Sequence, residues 1–339
     1  FTTHNANAAI STGANLLRTS PYTLSGTGIP IGLWDGGWAR STHQEYSGRV
    51  TLGDTSSIID HATHVCGTLI ASGVTSSARG MADAATVYSY DWTNDVSEMT
   101  ARGNANDVTN GKIQISNHSY GVITGWAYVN GGTPYRLWQW YGTTAGLTDP
   151  DFGAYNSTSS GMDSLAATEP YYLIFRSAGN DRGENPANGD SVYIGSSVVT
   201  YNSTVNPPGD GQYKSGFDTI SYAATAKNVL TVGSVADAVT SGARDVSKAS
   251  VSYFSSWGPT DDGRIKPDVV ANGDGLYSSL SATDSTYGTY SGTSMATPNA
   301  CGSTALLLQQ YKQLFPGQAM RAATIKDLLI HTADDIGNP

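Results

Sequence analysis

The segment from Gly292 to Tyr311 constrains the fold more than any other part of the chain. It begins Gly-Thr-Ser-Met-Ala-Thr-Pro and continues through a run of small and apolar side chains. This pattern predicts a tight turn that delivers Ser294 to the start of a buried helix over 294–311. Free backbone N–H groups and the positive end of the helix dipole meet at that point, so an oxyanion forming beside the Ser294 hydroxyl would be stabilised.

Two side chains upstream of Ser294 complete the set that nucleophilic catalysis requires. Asp35 follows an apolar, strand-like run at 29–34, and His61 opens a second apolar helix over 61–71. Serine is a poor nucleophile until a base removes its proton, and histidine serves as that base when a carboxylate orients its ring. The three residues lie on three separate elements, so only the fold can bring them together.

Strand-like apolar runs alternate with helical patterns along the chain. This alternation predicts a parallel sheet with helices on both of its faces. Further strands are predicted over 85–90, 112–116, 171–177 and 229–234, and further helices over 96–108 and 322–330. The candidate functional residues follow the carboxyl ends of these strands, where open α/β sheets form their sites.

Length and charge exclude several classes of protein. A chain of 339 residues can bury a large core, and its low charged content of 14% suits a compact, loop-rich protein. The formal net charge of −10 argues against nucleic acid as a partner. No apolar run approaches the ~18 residues that a membrane span needs.

The chain has two cysteines, Cys66 and Cys301, and no Cys-x-x-Cys motif. A structural zinc site or a redox motif is therefore not indicated. The two thiols lie in the helices that begin near His61 and Ser294, which are predicted to run side by side. Two small buried residues in tight helix contacts are the favoured interpretation, and a disulfide stays open.

Four blocks of the sequence resemble the subtilisin-like serine proteases, and a fifth stretch also reads like that family. The order Asp, His, Ser is the order found in subtilisin. One departure is Ala62, which replaces the glycine of the usual His-Gly-Thr-His block and is tolerable if its φ is negative. The matching stretches are Ile31 to Gly37, His61 to Thr68, Ser177 to Asn180, Gly292 to Pro298, and Phe254 to Pro259 followed by Lys266 to Val269.

The resemblance implies a three-layer α/β/α fold with a mainly parallel sheet of roughly seven strands, in a single catalytic domain over residues 1–339. It implies a secreted serine endopeptidase that forms an acyl-enzyme on Ser294. His61 would act as general base and then as general acid, and Asp35 would orient its ring. The Asn180 side-chain amide and the Ser294 N–H would hold the oxyanion. His64, one helical turn deeper, is interpreted as structural.

By the same resemblance, a substrate peptide would bind as an added β-strand beside the residues that follow one strand of the sheet. Residues at the end of another strand would form one wall of the S1 pocket. S1 is the pocket for the side chain on the acyl side of the scissile bond, and its floor is expected near 219–222. The alternative, that these small residues merely end strands, stays open. The predicted edge is Ser119, Tyr120 and Gly121, and the predicted wall is Ser177, Ala178 and Gly179.

The resemblance also implies the partners of the chain. They are protein or peptide substrates and, before maturation, the chain's own pro-segment. No cofactor is required for the chemistry, while a structural calcium ion stays an open expectation with no ligand set that the sequence can name. The alternative to an active protease is a catalytically inactive relative that binds peptides, and the presence of Asn180 together with Asp35, His61 and Ser294 argues against it.

Two segments are interpreted as insertions. The aromatic-rich segment near 122–160 is predicted to be a loop packed by its own aromatic side chains, or else an added wall beside the substrate cleft. The segment near 182–218 is predicted to form surface turns or an exposed hairpin. Family members usually continue past residue 337 with a further strand, so the resemblance implies that the C-terminus at Pro339 is truncated.

Overall fold

A computed structural model describes residues 5–103, 112–129, 137–143, 149–205 and 216–337. The predicted helix over 96–108 is therefore described only as far as residue 103. Within the two predicted insertions, residues 130–136, 144–148 and 206–215 lie outside the described residues.

The described residues form α-helices that cover both ends and the middle of the chain. These are α1 Asn5–Thr12, α2 Ala14–Leu17, α3 Asp60–Ile70, α4 Asp95–Arg102, α5 Ser157–Thr168, α6 Thr293–Leu314 and α7 Ala322–His331. The strands are β1 Pro30–Asp35, β2 Val50–Leu52, β3 Thr86–Asp91, β4 Ile115–His118, β5 Trp126–Val129, β6 Leu137–Trp140, β7 Leu173–Ser177, β8 Ser191–Ile194, β9 Ser197–Thr200, β10 Leu230–Val235, β11 Val239–Thr240, β12 Ala243–Arg244, β13 Val269–Asn272, β14 Leu276–Ser279 and β15 Tyr287–Tyr290.

Seven of these strands form one sheet in the order β13-β10-β7-β4-β1-β3-β2. Every neighbouring pair in it is parallel. The predicted parallel sheet of roughly seven strands is confirmed. Strands β2 and β13 were not predicted. Strand β2 has only three residues and two of them are exposed, which leaves no apolar run to detect.

Alternate side chains of the sheet strands pack against different helix layers, as the two-residue period of a strand requires. In β1, Ile31 packs in the core that includes residues of α3 and α6, while Trp34 packs in the core that includes residues of α4 and α5. In β7, Leu173 joins the first core and Ile174 the second. Both faces of the parallel sheet are thus covered, which gives the predicted three layers.

Helices α3 and α6 pack together on one face of the sheet, and each carries one of the two cysteines. Cys66 and Cys301 are both buried free thiols. Burial raises the pKa of the Cys66 thiol to about 12. The structure therefore supports the interpretation of two small apolar residues and shows no disulfide between them.

The two predicted insertions pair with each other. Strands β5 and β6 come from the first segment, β8 and β9 from the second, and together they form a four-stranded sheet in the order β5-β6-β8-β9. The predicted hairpin is confirmed by the antiparallel pairing of β8 with β9. The aromatic side chains of the first segment do pack on one another, since the Trp126 and Trp140 ring centroids lie 5.3 Å apart, but Val192 and Tyr201 of the second segment complete the cluster.

Helix α5 begins inside the first predicted insertion. Its N-cap, Asn156, accepts hydrogen bonds from the backbone N–H groups of Thr158 and Ser159. The Ser159 hydroxyl oxygen accepts in return from the Asn156 backbone N–H, which completes a capping box that satisfies N-terminal N–H groups. None of the helices in the described ranges is long and apolar enough to cross a membrane.

Two helical glycines offer a matched test of this packing. A methyl group at Gly67 of α3 would overlap the hydroxyl oxygens of Ser278 and Ser279, whereas one at Gly161 of α5 would meet no atom within 4 Å. Both serine hydroxyls already donate to backbone carbonyls of α3. We predict that Gly67→Ala lowers the free energy of unfolding by about 1–3 kcal/mol through overpacking, and that Gly161→Ala raises it by about 0.5–1 kcal/mol.

Urea unfolding of both variants measures the difference. A Ser294→Ala background excludes self-cleavage if the chain is a protease. Equal stability of the two variants would contradict the close approach of α3 to β14.

Candidate active site

Asp35 and His61 meet at the carboxyl edge of the main sheet. Asp35 is the last residue of β1, and His61 lies in the first turn of α3. The His61 Nδ1 atom lies 2.8 Å from Asp35 Oδ1 and 2.9 Å from Oδ2. The Asp35 side chain is only 3% exposed, while that of His61 is 36% exposed. A ring N–H donated to a buried carboxylate fixes the tautomer and leaves Nε2 as the nitrogen with a free lone pair.

The pKa of His61 reflects two opposing influences. Burial of the imidazole lowers it, because a charged ring loses solvation. The negative charge of Asp35 and its hydrogen bond to the ring raise it, and together they prevail, so that the pKa of His61 is raised above its ordinary value of 6.5. The ring is therefore able to take up a proton near neutral pH.

His64 has a different environment, in line with its predicted structural role. Its ring is fully buried, stacks on Tyr290 and places Nε2 2.9 Å from the Leu276 carbonyl oxygen. Burial lowers its pKa to about 4. Ala62, between the two histidines, lies in the regular helical backbone of α3, where a methyl group costs nothing.

Ser294 occupies the first turn of α6, as predicted. Its Oγ donates to the Ser119 carbonyl oxygen at 3.1 Å, and the Ser119 Oγ donates back to the Ser294 carbonyl oxygen at 2.9 Å. The second bond depends on Pro298, since proline has no N–H and cannot bond the carbonyl four residues before it. The freed carbonyl of Ser294 is satisfied by Ser119 instead.

The described residues include no hydrogen bond between Ser294 Oγ and His61. The Ser294 hydroxyl bonds to Ser119 instead. Of the two hydrogen bonds expected within the triad, the structure therefore shows the one between Asp35 and His61. The serine hydroxyl has three staggered positions about its Cα–Cβ bond, so it can leave the Ser119 carbonyl without any change in the backbone.

Asn180 lies three residues after the carboxyl end of β7 and is oriented by a residue that the sequence did not single out. Its Oδ1 accepts from the Thr293 backbone N–H at 2.9 Å and from the Thr293 Oγ1 at 3.1 Å. With Oδ1 engaged, the Nδ2 amide is the end of Asn180 that can donate to a ligand. The Ser294 N–H is one of the first four of α6, which have no partner within the helix.

A cavity of about 260 Å³ adjoins these groups. Ser294 and Asn180 line it, together with five of the six predicted substrate-binding residues: Ser119, Tyr120, Gly121, Ser177 and Gly179. Ser221 and Ala223 also line it, close to the expected S1 floor.

Ala178 is the exception. Its side chain is fully buried and packs with Ile220 and Ala224, so it does not line the cavity as the sequence predicted. Side chains alternate along an extended chain, and Ala178 therefore faces away from the cavity that Ser177 and Gly179 line.

The predicted substrate edge is anchored through Tyr120. Its hydroxyl donates to Asp95 Oδ2 at 2.6 Å, and its backbone carbonyl accepts from Arg176 at 3.2 Å. Gly121 is exposed, and a side chain there would meet only the Ser221 hydroxyl, at 3.8 Å. An extended peptide could therefore approach the backbone closely at Gly121.

Within the described ranges, no group of three or more His, Cys, Asp or Glu residues could hold a metal ion. Asp149, in the first insertion, accepts hydrogen bonds from the N–H groups of Gly125 and Asp151 with its two carboxylate oxygens. These hydrogen bonds hold the loop in place. No residues are assigned as ligands of the expected calcium ion.

Sequence comparison finds relatives of known activity over parts of the chain. It is 38% identical over 128 residues to the serine protease AprX of Bacillus subtilis, which covers 34% of this chain and 27% of AprX. It is 44% identical over 70 residues to the C5a peptidase of Streptococcus pyogenes, covering 21% and 6% of the two chains. The matches thus span about a quarter or less of these relatives.

Solved structures match over nearly the whole length. A cold-adapted subtilisin-like serine proteinase is 21% identical with a TM-score of 0.55, covering 98% of this chain and 92% of its own. The CspB protease of Clostridium perfringens is 15% identical with a TM-score of 0.65, covering 98% and 94%. These likenesses support the fold. The model of the subtilase family matches residues 35–339, so the chain belongs to the subtilase family.

Proposed function

We propose that the chain is a serine endopeptidase that hydrolyses peptide bonds through an acyl-enzyme on Ser294. The Ser294 Oγ attacks the carbonyl carbon while His61 Nε2 takes its proton. The C–N bond then breaks, and His61 returns that proton to the leaving amine. Water, deprotonated by His61, attacks the acyl-enzyme, releases the acid and restores the Ser294 hydroxyl.

The observation that carries this proposal is the hydrogen bond of His61 Nδ1 to the buried Asp35 carboxylate. It fixes the tautomer that leaves Nε2 as a base, and the same carboxylate stabilises the cation that forms when Nε2 is protonated. A peptide-binding protein without catalysis has no need of such a pair. This favours the active protease over the inactive alternative.

Two donors are proposed to hold the oxyanion. They are the Asn180 Nδ2 amide, oriented through its contact with Thr293, and the Ser294 backbone N–H at the start of α6. Fixed donors of this kind stabilise charge as it develops, because they need no reorganisation during the reaction.

Three further parts of the proposal rest on the resemblance to the family. They are secretion, a pro-segment as the partner before maturation, and chemistry that needs no cofactor. A structural calcium ion remains part of the same hypothesis. The substrates are proposed to be proteins or peptides bound along Ser119, Tyr120 and Gly121.

Labelling with a fluorophosphonate probe tests the nucleophile. We expect the folded protein to be labelled at Ser294 and Ser294→Ala to be unlabelled. We also expect Ser294→Ala to lose on the order of 10⁶ in kcat, the loss known for subtilisin itself. Asn180→Ala should lose about 10²–10³, again the range known from subtilisin.

Ser303→Ala is the matched control, because it makes the same substitution in the same helix away from the cavity. It should keep both labelling and turnover. Folded protein that takes up no probe at Ser294 would support the peptide-binding alternative instead.

The His61–Asp35 pair predicts a pKa that can be measured. We expect NMR titration to give a pKa for His61 above 6.5, and Asp35→Asn to lower it below 6.5, because burial then acts without the opposing charge. His64 serves as an internal control that should stay near about 4 in both proteins. An unchanged His61 pKa in the variant would contradict the proposed role of Asp35.

A further inference from the structure

The cavity beside Ser294 carries two carboxyl groups, from Asp181 and Glu184. Asp181 follows Asn180 directly, and its Oδ2 accepts from the Ser256 hydroxyl at 3.0 Å, while its Oδ1 accepts from the Thr124 hydroxyl at 3.3 Å. Gly179 makes room for this carboxylate, since a Cβ there would come within 2.6 Å of Asp181 Oδ2. Asp181 is thus held in the wall by neutral groups.

Glu184 lines the same cavity, but its carboxylate is not held by hydrogen bonds as that of Asp181 is. Its carboxylate makes no hydrogen bond or ion pair with any of the described residues. The nearest arginine in sequence, Arg182, directs its charge elsewhere, with its guanidinium 3.9 Å above the Trp257 ring and an N–H donated to the Ser252 carbonyl oxygen at 2.6 Å. Among the described residues that line the cavity there are thus two acidic side chains and no basic one.

The surroundings of these carboxyl groups make their negative charge costly. Burial and, to a smaller extent, the negative charge of the neighbouring Asp181 raise the pKa of Glu184 to about 8. Burial also raises the pKa of Asp181 to about 6, although the hydrogen bonds that it accepts act in the opposite direction. A cation placed between them would relieve both the burial cost and the mutual repulsion.

The position of the cavity indicates that such a cation would belong to a bound substrate. The proposed nucleophile and the proposed oxyanion donor Asn180 lie on its wall, so a side chain next to the scissile bond can enter it. Its volume of about 260 Å³ lies below the ~300–1,000 Å³ typical of pockets for whole small molecules. It suits one long side chain.

We propose that this cavity is the S1 subsite and that it selects a basic side chain, arginine before lysine, through Glu184 and Asp181. The proposal rests on the proposed function, because it names the substrate class of the same site. A planar guanidinium presents several N–H groups and can bond two carboxylates at once, whereas an ammonium group acts as a point charge.

Benzamidine provides a test that does not depend on turnover. It carries an amidinium cation, and benzamide is its neutral analogue of nearly the same shape. We expect calorimetry on the full chain and on Ser294→Ala to show that benzamidine binds both proteins at least tenfold more tightly than benzamide does. Glu184→Gln should remove most of that difference, and Asp181→Asn should reduce it.

Glu169→Gln is the matched control. It removes one glutamate charge just before β7, at the opposite edge of the sheet from the cavity, so it corrects for net charge. We expect it to bind benzamidine as the unchanged protein does. If Asp181→Asn does not fold, Glu184→Gln decides the matter, since the Glu184 carboxylate accepts no hydrogen bond from the described part of the chain that the substitution would break.

Proton release gives a second readout. Because the pKa of Glu184 is about 8, this group is largely protonated at pH 7, and a bound cation should drive its proton off. Calorimetry at pH 7 in two buffers of different ionisation enthalpy should detect proton release in the unchanged protein and in Glu169→Gln. Glu184→Gln should release fewer protons.

Substrate pairs extend the test to catalysis. Peptides that differ only in arginine or glutamine before the scissile bond should differ at least tenfold in kcat/KM, and Glu184→Gln should narrow that ratio. Benzamidine binding no tighter than benzamide, or unaffected by Glu184→Gln, would overturn the basic subsite even in a protein that a fluorophosphonate labels. Binding that depends on Glu184 in a protein without a reactive Ser294 would support the subsite and refute the proposed protease.

Discussion

The burial of helix α6 against the parallel sheet constrains the rest of the molecule. The first half of the helix is fixed by its packing, because Met295, Ala296, Cys301 and Ala305 all lie in the hydrophobic core. Its axis and its starting point are therefore set by packing, and the position of Ser294 follows from them. A hydroxyl that must meet an imidazole from another helix within hydrogen-bonding distance needs a backbone that does not move, and core packing supplies it.

Much of the fold and half of the candidate triad could be predicted from the sequence, because the relevant signals are local. Strands such as β1 and β7 contain apolar runs, and Asp35 directly follows the apolar run at 29–34 that forms most of β1. The turn before Ser294 and the helix after it lie within one continuous segment. Such features need no knowledge of distant residues, which is why the predicted strand and helix bounds agree with the structure to within a few residues.

The remaining features depend on contacts between distant residues. Nothing in either insertion indicates that Trp138 pairs with Val192, so the four-stranded sheet could not be derived. The reciprocal bonds of Ser119 and Ser294 join residues 175 positions apart, and they displace the expected bond to His61. In the sequence, Glu184 is only a glutamate in a polar turn. Its position in a cavity beside Ser294 depends on the fold and could not be predicted.

The four-stranded sheet has a consequence for how a peptide would be received. Its first two strands continue the chain from the proposed substrate edge, and its last two continue the chain from the segment that carries the acidic wall. The parallel pairing of β6 with β8 joins these two segments. Moving these two segments apart would break that ladder, so their spacing is set before a peptide binds. The ordering cost of binding would then fall mainly on the peptide rather than on the protein.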